Sequence, residues 1–309
     1  MTKLAKLVML AAMTLALAVP AMAVSQDKAP VKKQDAASAT KGLRVFFTSH
    51  SLQWYVPGPL GELAKAAGLS DHKLVGHQQI GGNPTLAQWN LAEAKNEAKK
   101  ALKKGEVDVF VMAPIQAPDQ GIENFVKLGL EHNPNMRFSA QVSWGAYDAD
   151  MQKFPQSGKG AGKVDRNKTV EQLVKIHEIN IKALEAQADD INKKYGKGKK
   201  VLFLVPSAQA TITLRTKIIN KEMPGIATQG ELFRDAISHP TAPLEALNTY
   251  LHFAAIYRQS PVGLPTSSLL KKGKKYDDKT DRVLQEMAWD TITKYSYSGV
   301  TTTPAAKGK

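Results

Sequence analysis

Leu43-Arg-Val-Phe-Phe-Thr-Ser-His-Ser-Leu52 is the stretch on which the fold turns. Residues 43–48 are apolar, β-branched or aromatic for the most part, which predicts a buried strand. The strand runs straight into a turn that delivers two serines and a histidine. Parallel α/β sheets carry their chemistry at the carboxyl ends of the strands, and hydrolytic versions expose a serine hydroxyl where a strand ends abruptly. Ser51 is the candidate hydroxyl. Ser at such a turn also caps the following helix, so Ser49 and Ser51 each have a purely structural alternative.

Outward from that strand, short apolar runs alternate with helical patterns. Strands are predicted at 43–48, 73–80, 107–112, 137–144 and 200–205. Between and after them, helices are predicted at 59–68, 91–104, 121–132, 168–195, 208–220, 244–257 and 279–295. Pro59 near a helix start, with Gly68 and Gly105 at helix ends, sets the boundaries. The long helix carries an apolar stripe of Val170, Leu173, Ile176, Ile179, Ala183 and Leu184. Residues 145–167 have no periodicity and several glycines; they read as a surface insertion over the sheet edge, a lid or a mobile segment. Five parallel strands with helices on both faces make a flavodoxin-like three-layer α/β sandwich. No G-x-G-x-x-G follows the first strand and no P-loop is present, so a dinucleotide or nucleotide cofactor is not expected.

At the amino end, Lys3 and Lys6, an apolar run over 7–19 and Ala21-Met22-Ala23 form a secretory signal, residues 1–23. That run is short for a membrane span, so no transmembrane segment is expected in the mature chain. Residues 24–41 read as a flexible leader and 301–309 as a disordered tail, leaving a single domain over 42–300. The expected location is exported, periplasmic or extracellular. With no cysteine, disulfides and thiolate metal sites are excluded.

The net charge is +14, mostly lysine, as at Lys95, Lys99, Lys100, Lys103 and Lys104. No zinc-finger spacing, RNP-type aromatic cluster or Arg-rich arm accompanies it, so a nucleic-acid partner is not expected. The excess reads as a solvated face, with an anionic polysaccharide or an anionic membrane surface as the contact it would suit. Seven histidines include no H-E-x-x-H, and His72 and His77 fall on opposite faces of a regular strand, so no metal site is expected. His177 and His252 fall inside helices, where packing or solvent contact is the default. Trp54, Tyr55, Trp89 and Trp144 would either line a cleft that stacks on sugar rings or pack in the core.

The first block resembles that of the SGNH (GDSL-like) hydrolases, in which strand, Gly, a polar residue and the nucleophilic Ser follow one another. Ser49 stands in the glycine place, His50 in the middle and Ser51 in the nucleophile place. Gln79-Ile80-Gly81-Gly82-Asn83-Pro84-Thr85-Leu86 resembles the family's glycine turn after the second strand. The family's Gly-x-Asn-Asp is absent after the third strand, where Gln116 is the nearest amide, and Asp119 caps the next helix equally well. Leu232-Phe-Arg-Asp-Ala-Ile-Ser-His-Pro240 resembles the late loop that supplies acid and base, although Asp235 and His239 are four apart rather than three. Arg258-Gln-Ser-Pro-Val-Gly-Leu-Pro265 resembles the closure of an exported bacterial SGNH-like group. The resemblance, over 43–265, implies a serine esterase with Ser51 as nucleophile, His239 as base and Asp235 orienting it. It further implies an oxyanion site formed by the Ser51 and Gly82 N–H groups, with Asn83 or Gln116 as a third donor, and no cofactor. The implied substrate is a small-molecule or carbohydrate ester. A catalytically degenerate carbohydrate- or surface-binding protein on the same fold is the alternative.

Overall fold

The computed structural model describes residues 42–69, 71–156, 162–272 and 276–301. Its five strands are β1 (Arg44–Ser49), β2 (Lys73–Gln79), β3 (Val109–Met112), β4 (Arg137–Gln141) and β5 (Leu202–Val205). All pairs are parallel, in the order β2-β1-β3-β4-β5. This is the flavodoxin-like order, and it leaves a crevice between the carboxyl ends of β1 and β3, where successive connections leave in opposite directions. The helices are α1 (Pro57–Ala66), α2 (Thr85–Trp89), α3 (Glu97–Lys103), α4 (Gln120–His132), α5 (Val170–Tyr195), α6 (Ser207–Ile219), α7 (Ala242–Tyr257) and α8 (Asp278–Lys294). The described residues all fall in one unit. The proposed signal at 1–23, leader at 24–41, residues 302–309 of the tail and 157–161 of the insertion lie outside them.

The two-residue period of the strands sorts the core into two layers. Val45, Phe47, Val109, Val111 and Val205 face one layer, closed by α1, α6, α7 and α8. Phe46, Phe110, Met112, Phe138 and Leu204 face the other, closed by α3, α4 and α5. Phe46 stacks on Phe110 at 5.5 Å between centroids, and Phe110 lies 5.0 Å from Phe125 of α4. Each fully buried side chain of this kind contributes roughly 1.5–3 kcal/mol. On β2, Gly76 is fixed by the same ring: a Cβ there would stand 2.2 Å from Phe46.

Helix starts follow local chemistry. Asn96 accepts from the Lys99 N–H at 2.9 Å and starts α3. Asp119 accepts from the Gly121 N–H at 2.8 Å and caps α4, the capping role open to it in the sequence. A Thr169–Gln172 capping box starts α5. The buried stripe of α5 differs from the predicted one: it comprises Leu173, His177, Asn180, Leu184, Ala188 and Ile191, and Ile179 is 57% exposed. Two polar residues displace apolar ones because they bind the backbone and a side chain of the 145–156 segment. On the lysine-rich face, Lys99 and Lys103 pair with Glu93, and Lys100 with Glu97. No helix among the described residues is long and apolar enough to cross a membrane.

Candidate active site

β1 ends at Ser49, and the chain folds over at once. The Gln53 and Trp54 N–H groups both donate to the His50 carbonyl, at 2.9 and 3.1 Å. The His50 ring supports the same turn: its Nδ1 accepts from the Leu52 N–H at 3.2 Å. That fixes the proton on the buried Nε2. Burial drives His50 down to about 4, against the opposing pull of the Pro114 backbone, so the ring is neutral at pH 7. The two serines take different directions. Ser49 is 1% exposed and its Oγ lies 2.5 Å from His77 Nε2, on the β2 side. Ser51 opens into a cavity and meets the late loop.

That loop is a tight reversal between Phe233 and Pro240, which form an antiparallel bridge. The Ser238 N–H donates to the Asp235 carbonyl and the Arg234 N–H to the His239 carbonyl, at 3.2 and 3.0 Å. Ser238 has φ +76°, a left-handed conformation rare outside glycine. This turn absorbs the extra residue in the Asp–His spacing and brings both side chains to one face. His239 Nδ1 lies 2.5 Å from Asp235 Oδ2, and its Nε2 lies 2.8 Å from Ser51 Oγ. A carboxylate only accepts, so Nδ1 carries the proton and Nε2 is free to accept from the Ser51 hydroxyl. Partial burial pushes Asp235 up, but the hydrogen bonds from the His239 ring and N–H outweigh it and hold the carboxyl below its usual value.

Gly82 also lines the cavity, with φ +64°. No protein atom lies within 4 Å of where its Cβ would stand. Its backbone conformation, rather than crowding by the protein, therefore calls for glycine. The turn is held from behind, where the Thr85 N–H donates to buried Asp119 at 2.6 Å. Both amides expected as a third donor make hydrogen bonds elsewhere. The Asn83 amide donates to the Gly81 carbonyl at 2.7 Å, closing its own turn. The Gln116 amide donates to the Gln152 and Phe154 carbonyls at 2.9 and 2.7 Å, so it ties the 145–156 segment to the loop after β3.

Several supports were not visible in the motif blocks. Arg166 donates to the Asp235 and Ala236 carbonyls and to Ser238 Oγ, at 2.7, 3.1 and 2.9 Å. Trp144, predicted for a cleft or the core, is buried and donates from Nε1 to the Ser238 carbonyl at 3.0 Å. Beneath the turn, Gln141 accepts from Asn248 and His252, both at 3.0 Å, and donates to the Leu52 carbonyl at 3.4 Å. Burial holds His252 down to about 3. Polar residues inside apolar runs, in Phe138-Ser-Ala-Gln-Val142 and Leu247-Asn-Thr-Tyr-Leu-His-Phe253, were the available signal. His177, likewise inside a helix, accepts from the Gly145 N–H at 3.0 Å.

Neither a family model nor a curated protein sequence matches the chain. Among solved structures, it is similar to a DUF4886 family protein from Bacteroides uniformis: TM-score 0.50, 15% identity, covering 82% of this chain and 95% of that one. It also matches a GDSL-like lipase candidate from Parabacteroides merdae (TM-score 0.43, 10% identity, 70% and 96% covered). A third match is a family 3 carbohydrate esterase from Clostridium thermocellum (TM-score 0.38, 11% identity, 70% and 95% covered). At such identities the likeness is one of fold. With its 2-1-3-4-5 parallel sheet between two helical layers, the chain has a flavodoxin-like three-layer α/β fold, the likeness it shares with the DUF4886 family protein.

Proposed function

We propose that the chain is an exported serine esterase of SGNH type, hydrolysing a carboxylic ester by acyl transfer through Ser51. The observation that carries this reading is the hydrogen-bonded series Ser51–His239–Asp235 at the carboxyl edge of the sheet, within a cavity wall. Export rests on the pattern of residues 1–23.

In the first step His239 Nε2 takes the Ser51 hydroxyl proton as Oγ forms a bond to the ester carbonyl carbon. The carbonyl π pair moves onto oxygen, and the backbone N–H groups of Ser51 and Gly82 are the donors for that oxyanion. As the pair returns, the C–O bond to the alcohol breaks, and the proton on His239 passes to the departing oxygen. Water then repeats the sequence on the acyl-enzyme, releasing the acid and restoring Ser51. Asp235 keeps the ring in the required tautomer and stabilises the imidazolium. An O-acylated carbohydrate is one such ester, with a sugar hydroxyl as the alcohol released.

Hydrolysis of a short p-nitrophenyl ester by wild type and Ser51→Ala tests the reading. Wild type is expected to exceed the variant by about a thousandfold or more in kcat. Equal slow rates would sink it and favour a binding module on the same fold.

A further inference from the structure

We propose that the cavity beside Ser51 is an acyl pocket, and that the ester taken carries an apolar, medium-length acyl group rather than acetyl; this rests on the esterase reading. The cavity has a volume of about 290 Å³ and opens on Ser51 and His239. Away from Ser51, His239, His50 and the Gly81-Gly82 turn its walls are apolar, formed by Leu52, Trp54, Ile115, Ala146, Met151 and Phe154. A sugar ring placed against those apolar walls would lose hydrogen bonds to water and find no side-chain partners on them in return, whereas an alkyl chain would gain by burial. The mouth carries further apolar surface: Trp54 is 40% and Ile237 36% exposed. A substrate whose chain enters the cavity covers part of that surface.

The proton route gives the pocket its direction. The leaving oxygen must come within reach of His239 Nε2, and Ile237 lies on that same loop, two residues away. The acyl substituent points away from the leaving oxygen, toward the opposite wall. That wall is Ile115, Ala146 and Met151, all 4% exposed or less, with Phe154 packed on them. It is preformed. Gln116 holds the Gln152 and Phe154 carbonyls, while Gln152 donates to Ala117 O and Asn180 Oδ1 at 2.8 and 2.9 Å. Its start is fixed by the bond from the Gly145 N–H to His177. At roughly 30 Å³ per water-sized group, the volume admits fewer than about ten heavy atoms, which fits acyl chains up to about octanoyl.

Two isomeric esters separate the possibilities, because they share composition and hydrophobicity: ethyl hexanoate and hexyl acetate. Wild type is expected to favour ethyl hexanoate in kcat/KM by about tenfold or more, within a ceiling of about fourfold per methylene that enters the cavity. Ala146→Leu should lower the ratio of hexanoate to acetate turnover across p-nitrophenyl esters. Phe154→Ala, which needs no extra space to fold, should move the preferred chain to a longer one. Calorimetry of Ser51→Ala with the same two esters reads binding without turnover, and saturable binding of ethyl hexanoate alone is expected. Equal binding of both, preference for hexyl acetate, or no binding of either would overturn the acyl pocket. Hydrolysis of acetate esters that depends on Ser51, with no gain on lengthening the chain, would leave the esterase reading standing and remove this one. Absence of turnover on every ester by wild type, with ethyl hexanoate still bound, would remove the esterase reading and the acyl role with it, leaving a binding cavity for apolar chains.

Discussion

The Asp235 side chain is 40% exposed, and this limits what it can contribute. In a buried triad, replacing the aspartate by its amide costs about four orders of magnitude in kcat, chiefly by reversing the imidazole tautomer. Here water reaches the carboxylate and screens its charge, while the backbone N–H of His239 is a second, independent tie to Oδ1 at 3.1 Å. Asp235→Asn is therefore expected to lower kcat by about 10- to 100-fold, well short of the loss on Ser51→Ala, as steady-state ester hydrolysis would measure. A loss equal to that of Ser51→Ala would show that the carboxylate does more than orient. Burial holds His50, His77 and His252 down to about 4, 4 and 3, so none of these three rings is expected to ionise between pH 5 and 7. An NMR titration showing any of the three taking up a proton in that range would contradict this assignment.

One ionic cluster ties the 145–167 segment to the loop that carries Asp235 and His239. Asp148, with a side chain 3% exposed, receives a bidentate pair from Arg215 at 2.7 and 2.9 Å and a third contact from Arg166 at 3.2 Å. Arg166 then spends its remaining donors on the Asp235–Ser238 turn. The two arginines should separate on substitution. Arg166→Ala leaves Asp148 paired with Arg215 but frees the strained turn at Ser238. A clear fall in kcat, with a modest change in melting temperature, is expected. Arg166→Lys should restore little, because an ammonium cannot span the same set of acceptors. Arg215→Ala leaves a buried carboxylate with only part of its pairing and is expected to cost about 3–5 kcal/mol of stability, read from urea unfolding. Matching effects of both substitutions on activity and stability would refute this division of labour. Such a clamp is hard to read from sequence. Arg215 sits among Ile212, Leu214 and Ile218, a hint of a buried paired charge, but its partner lies 67 residues away in an aperiodic stretch.

At the scale of the whole molecule, what the sequence made legible was local in character. The parallel sheet followed from alternation, and Ser51, Gly82 and the Asp235–His239 loop each sit in a block whose conformation is set within a few residues. The Gln116 amide, expected to face the oxyanion, instead reaches carbonyls 36 and 38 residues away, a destination that no spacing rule encodes. The α5 stripe was rotated for the same reason, since His177 and Asn180 answer to a distant segment. These non-local choices bury neutral histidines, and that has a consequence for stability. His50 and His252 are 2% and 0% exposed and His77 is packed between Ser49 and Phe47; burial depresses all three from the ordinary histidine value of about 6.5. Between about pH 4 and 6.5 the unfolded chain therefore binds protons that the folded chain does not, so unfolding free energy must fall as pH falls through that window. Burial raises the Asp119, Glu245 and Asp281 carboxyls, which act in the opposite sense at the acid end, so the histidine effect is read in the upper part of the window, at about pH 6 to 7. Urea midpoints should accordingly be lower at about pH 6 than at about pH 7.5, with net proton uptake on unfolding at the lower pH. Identical midpoints and no proton uptake would mean that these rings are not held neutral in the fold, and the rigid polar support beneath the Ser51 turn would have to be redrawn.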